Sequence, residues 1–149
     1  MIENPYKWNN ASDQVVLRAR RTIGDLLTGT KDVENLLYPI CNMFAVDIIN
    51  RRPDLASNSG ALTLLANSIA YDIRELGVFP TPATKISSTI VNLVSINRMY
   101  MRGELAHEFG VVSQIPADTL SYIEKHKSKV IELVDAFKVL MHYGCSCKE

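Results

Sequence analysis

The chain has 149 residues, 47% of them apolar and 21% charged, which is long enough to bury one core without disulfides or metal and has the mix of an ordinary globular domain. Sixteen Lys and Arg balance sixteen Asp and Glu, which excludes a global positive field of the kind that draws a protein onto nucleic acid or anionic lipid, so any such contact must be local. A single domain over residues 1–149 is expected.

The chain opens without a basic segment followed by an apolar run, and charges or amides interrupt every apolar window well short of the roughly 20 residues of a membrane span. No membrane contact is expected, and the expected location is cytoplasmic. Residues 1–11, with Pro5 and Asn9-Asn10, read as an irregular arm pinned by Tyr6 and Trp8.

The first helix follows, with Ser12 as a cap and Asp13 in its first turn. Its stripe is Val15, Val16, Ala19, Ile23, Leu26 and Leu27, and Thr28-Gly29 is its stop. Arg18, Arg21 and Asp25 lie on its outer face, as a solvated surface with one ion pair or as a phosphate-binding patch. A second helix, capped by Thr30, runs through Val33, Leu36, Leu37, Ile40, Met43, Phe44, Ile48 and Ile49 to Arg51-Arg52-Pro53. Its apolar residues cover most of its circumference, so it should be central and buried. Pro39 in its middle predicts a kink or two short helices.

Ser57-Asn58-Ser59 caps the third helix. Its stripe is Leu62, Leu65, Ala66, Ile69, Ile73 and Leu76, with Arg74 in the last turn and Gly77 as a left-handed terminator. Two prolines, Pro80 and Pro82, keep the link to the next helix non-helical.

The fourth helix carries Ile86, Ile90, Leu93, Val94, Asn97 and Met101 on one face. The run Thr89-Ile90-Val91 raises a strand alternative, but strict alternation is missing. Gly103 should bend it and Gly110 end it. A last helix from Pro116-Ala117-Asp118 carries Leu120, Ile123, Val130, Ile131, Val134, Phe137, Leu140 and Met141. Its polar stretch 124–129 must face water or contain a break, and residues 144–149 form a frayed tail. Four to five helices joined by short links predict an all-α bundle.

Glycine-rich phosphate loops, nucleophile elbows, zinc helices and EF-hand loops are absent, so no cofactor is expected. Cys41 sits in a helical pattern, and Cys145-x-Cys147 near His142 falls short of the four ligands a zinc site usually takes. Free thiols are therefore the simpler expectation, and no metal is expected. What remains is Arg102-Gly-Glu-Leu-Ala-His107, at the end of the long helix and flanked by glycines.

Residues 86–107, ISSTIVNLVSINRMYMRGELAH, resemble the signature region of the HEPN superfamily, helical bundles whose motif is Arg, four to six residues, then His. The resemblance covers about the last two helices. It departs from the usual pattern at Gly103, where the family often has a polar residue, commonly Asn. Many members are metal-independent ribonucleases, serving as toxins or antiviral-defence components, whose sites form across a homodimer. The resemblance therefore implies Arg102 and His107 as catalytic residues, an RNA substrate and a homodimer. Chemically, His supplies an acid or base titrating near neutrality, and Arg a fixed cation for a charged phosphorane.

Five positions separate the two side chains, which puts them on partly overlapping helical faces. A bend at Gly103 or a two-fold dimer would bring them together. Glu104 or Glu108 would orient the imidazole and Tyr100 would edge the site. In a purely structural reading, His107 caps the helix and Arg102 pairs with a nearby acid, and Arg98 is solvated or ion-paired. The competing function is a non-catalytic helical interaction protein, such as an adaptor, an immunity or inhibitor protein or a subunit of a complex. The neutral charge and the apolar run Phe137, Leu140, Met141, Tyr143 suit a protein partner. A ligand-binding bundle with the Pro39 kink as a pocket wall is a third class.

Overall fold

The computed structural model describes residues 14–28, 33–77, 79–101 and 117–143. They are all-helical: α1 (Gln14–Leu27), α2 (Val33–Arg51), α3 (Pro53–Ala56), α4 (Ser59–Glu75), α5 (Ala83–Met101), α6 (Ala117–Lys125) and α7 (Lys127–Tyr143). Seven helical elements among the described residues replace the expected four to five, for two local reasons.

The first is Pro53. It ends α2 by constraining Arg52, which sits at φ −131° and ψ 63°, but its own fixed φ suits a first helical position, so the one-turn α3 starts on it. Arg52 spans that corner, its Nε and Nη2 donating to Asp54 Oδ1 and Oδ2 at 3.2 and 3.0 Å. The second is His126, where the expected last helix divides into α6 and α7. Backbone bonds bracket the division, His126 N to Tyr122 O and Val130 N to His126 O, both 3.0 Å, and residues 124–128 are exposed. Exposure and a one-residue interruption therefore occur together. The Tyr122 and His126 rings lie against each other there, with centroids 4.2 Å apart.

Of the kink or two short helices expected at Pro39, the division into two does not occur. α2 runs unbroken through the proline. Leu36, Leu37, Ile40, Cys41 and Phe44, all buried on both sides of the proline, hold the helix across the missing donor.

The terminators expected for α4 are present. Asn58 is its N-cap, its Oδ1 accepting from Ala61 N at 3.0 Å. Gly77 follows it at φ +75°, a conformation that costs a side-chain-bearing residue but not glycine. Arg74 does more than face the helix dipole: its Nη1 donates to the carbonyls of Pro80 at 3.3 Å and Thr81 at 2.9 Å, tying α4 to the start of α5. Pro82 stands just before the first residue of α5, its carbonyl accepting from Lys85 N and Ile86 N. The strand alternative for 89–91 is excluded, since these residues lie within α5.

The helices pack in the spatial order α4, α5, α2, α7, α1, with α3 bridging α2 to α4 and α6 lying on α2. Their buried residues form one hydrophobic cluster. As the sequence pattern implied, α2 is central: it packs against α3, α5, α6 and α7, and eight of its residues are buried, although they take up about half of its circumference rather than most of it. Its Phe44 meets Phe137 of α7 edge to face, with centroids 6.5 Å apart.

The stripe expected on α7 needs correction. Ile131 is 53% exposed, while Leu133 and Ala136 are buried, because α7 is held between α1 and α2 and buries the two flanks that face them. On α1, Val16, Ala19, Ile23 and Leu27 are buried as expected, and Val15 is exposed. Arg18, Arg21 and Asp25 are all exposed. The expected caps Ser12 and Thr30, the first-turn Asp13 and the arm with Tyr6 and Trp8 lie outside the described residues. No helix among the described residues is long and apolar enough to cross a membrane.

Candidate functional site

Arg102, Glu104, His107 and Glu108 lie outside the described residues, as do Gly103 and Gly110. Tyr100 belongs to the last turn of α5, the helix that leads directly into Arg102. The described residues therefore establish the platform from which the Arg102-to-His107 string departs.

That platform is fixed from two sides. The face of α5 expected to be apolar is buried through Ile86, Ile90, Leu93 and Val94, and it carries one amide, Asn97, which is 7% exposed. Asn97 Nδ2 donates to Asn42 Oδ1 of α2 at 2.8 Å and to Leu93 O at 2.7 Å, so its two amide protons are both used. One turn before Arg102, half-buried Arg98 donates from Nη1 to Ala56 O at 3.3 Å. This adds a partner that the expectation of a solvated or ion-paired Arg98 did not include: a backbone carbonyl at the end of α3, left open because α3 is too short to satisfy its own carbonyls. The two contacts clamp the last two turns of α5 to α2 and α3.

Asn97 to Asn42 is one of three side-chain bonds of the same kind. Ser87 Oγ of α5 donates to Asn67 Oδ1 of α4 at 2.6 Å, and Thr119 Oγ1 of α6 donates to Asn35 Oδ1 of α2 at 2.7 Å. Each pairs a helix with a neighbour at one register, since sliding by a turn would leave a buried polar group unsatisfied. Arg74 with Thr81 and Asn67 with Ser87 show α4 and α5 running antiparallel. Lys85 with Glu34 at 3.8 Å and Asn97 with Asn42 show α2 and α5 running parallel. Sequence reasoning singled out Asn97 only as part of a stripe; its partner lies 55 residues away, and no local pattern identifies it.

Cys41 is buried, and loss of solvation pushes its thiol pKa up to about 12, so it is a neutral core residue at physiological pH and no nucleophile. Cys145 and Cys147 lie outside the described residues. His142 belongs to α7. Among the described residues no group of three or more His, Cys, Asp or Glu is placed to hold a metal.

Two surface features border the platform. A cleft of about 360 Å3 runs between α2 and α7, with Pro39 in its wall together with Asn42, Met43, Asp47 and Lys138. Pro39 thus does line a pocket, although without splitting its helix. On the opposite flank of α7, Ala19 and Ala136 floor a furrow against α1, rimmed by Val15 and Val139, which are 44% and 37% exposed. In comparisons with family models, curated proteins and solved structures, none matched the chain.

Proposed function

We propose that the chain is an HEPN-like, metal-independent ribonuclease or a relative that has lost catalysis, acting as a cytoplasmic toxin or antiviral-defence component, with Arg102 and His107 as the active pair. The observation that carries this reading is the position of the Arg102-to-His107 string. In sequence it directly follows a long helix, α5, whose last turns are clamped by Asn97 and Arg98. Precise placement of a general acid or base and a cation requires such support. His107 would move the proton at the 2′-hydroxyl or the leaving oxygen, and Arg102 would hold the charge that develops on phosphorus. Glu104 or Glu108 would orient the imidazole, with Tyr100 at the edge. A two-fold homodimer would supply a second copy of each.

The test is light scattering of the purified protein together with cleavage of a mixed RNA pool in chelator, comparing wild type with His107→Ala and Arg102→Ala. The expected result is a dimer whose cleavage falls by about 100-fold or more in either variant. A folded wild-type protein that leaves RNA intact would remove the catalytic form of the reading.

A non-catalytic interaction protein is the second reading, favoured by the furrow between α1 and α7. Its alanine floor and exposed valines would take the apolar stripe of an amphipathic partner helix, whose polar flanks would meet Arg18, Glu132 and Asp135 in the same wall. Val15→Glu with Val139→Glu should then abolish partner binding while leaving the melting temperature of the isolated protein within a few degrees of wild type.

A further inference from the structure

We infer that the furrow between α1 and α7 is a self-association surface, and that its occupant is the same furrow of a second copy of this chain. The inference rests on the interaction-protein reading and names the partner; the Arg102-to-His107 string takes no part in it. Val15, Arg18 and Thr22 line the α1 side, Glu132, Asp135 and Val139 line the α7 side, and Ala19 and Ala136 lie between them. Exposed Ile131 stands one turn before Asp135 on the same row of α7 and widens the apolar part of the face. Among the described helices α1 packs chiefly on α7, so the furrow is at the outer edge of the row.

Charge names the occupant. The α1 side carries Arg18, with Arg21 and Asp25 exposed further out, and is net positive. The α7 side carries Glu132 and Asp135 and is net negative, since Lys138 lies on the other flank of α7, in the cleft against α2. Arg18, Glu132 and Asp135 have no ion pair among the described residues. A two-fold axis running along the furrow lays α1 of each copy over α7 of the other. Arg18 then faces Glu132 and Asp135 of the partner subunit, and because a two-fold interface uses the same patch on both copies, the pairing is made twice.

The same rotation gathers both alanine floors, with Val15 and Val139, into the middle of four helices, where small residues permit close approach. A face of one sign would repel its own copy under that operation. Nucleic acid or an anionic membrane would meet two carboxylates for each Arg18 in the furrow. An unrelated apolar helix would fill the floor but gives no reason for opposite charges on the two sides.

The test is analytical ultracentrifugation of the full-length protein from about 1 to 300 μM, at low and high salt. A reversible monomer–dimer equilibrium is expected, with a dissociation constant on the order of 10 μM that weakens as salt rises, in keeping with a contact only two helices wide. Arg18→Glu alone should weaken it at least tenfold, and so should Glu132→Lys with Asp135→Lys, because each puts like charges together at both contacts. Mixing these two variants should restore a dimer close to wild type in strength, since every contact in the mixed pair again joins opposite charges. Melting temperatures of the variants separate lost association from lost folding. A protein that stays monomeric throughout the range overturns the inference; if deleting residues 1–13 then lets it dimerise, the chain's own arm is the occupant. A dimer indifferent to the substitutions, or variants that fail to pair on mixing, overturns it as well. A monomer that binds a different protein through Val15 and Val139 overturns self-association and leaves the interaction reading standing.

Discussion

Cys41 shows how one side chain's surroundings set its chemistry. Its thiol is fully inside the core of α2, where no charge or donor faces it, and burial alone raises its pKa from 9.0 to about 12. The consequence for stability has a definite sign. Below pH 9 the thiol is neutral in both states. Between pH 9 and about 12 the unfolded chain gives up its proton while the folded one keeps it, so stability falls as pH rises through that window. With Cys145 and Cys147 replaced by Ser, native protein at pH 8 should react with a thiol reagent only at its rate of global opening, and Cys41→Ala should flatten the alkaline decline seen in denaturant titrations. Rapid labelling of the native state would contradict the buried, neutral thiol. Three of the four buried polar residues follow a different logic: Asn97, Ser87 and Thr119 are tolerated because each has an asparagine opposite it.

At the scale of elements, α2 carries an internal conflict. Pro39 sits seven residues into a 19-residue helix, where it removes the donor that would bond the carbonyl four residues back. A proline in a helix interior costs about 3 kcal/mol, partly offset by its ring packing in the cleft wall and by its stiffening of the unfolded chain. Pro39→Ala should therefore stabilise the protein by about 1–2 kcal/mol, raising the melting temperature by roughly 2–8 °C, with no change in helix content by circular dichroism. A fall in melting temperature would mean that the ring's packing outweighs the missing bond. The helix ends obey local chemistry throughout. Asn58, Gly77, Pro53 and Pro82 each act at or within one position of where their own backbone preferences put them, which is why these boundaries were legible in the sequence.

For the whole molecule the decisive fact is the row α4, α5, α2, α7, α1. The outer helix α1 is held mainly through α7, and α7 reaches the centre through Phe137 against Phe44. Phe137→Ala should cost about 3–5 kcal/mol. The loss should be uneven: native-state hydrogen exchange should show protection falling first in α1 and α7, while α4 and α5, packed against each other and pinned by Ser87 and Asn67, retain theirs longer. Uniform loss across all helices would show that the row unfolds as one unit.

The all-helical class, the places where α2 and α4 stop, the cap at Asn58 and the burial of α2 were all written in the sequence, because each depends on residues within a turn or two of one another. The tertiary structure alone decided what depends on distant partners. It set the order of the row and chose which flank of α7 is inside, with Leu133 buried and Ile131 exposed. It also carried α2 unbroken through Pro39, paired Asn42 with Asn97 and paired Asn35 with Thr119. Propensity and periodicity act within a single helix, whereas packing and the satisfaction of buried polar groups are settled between helices.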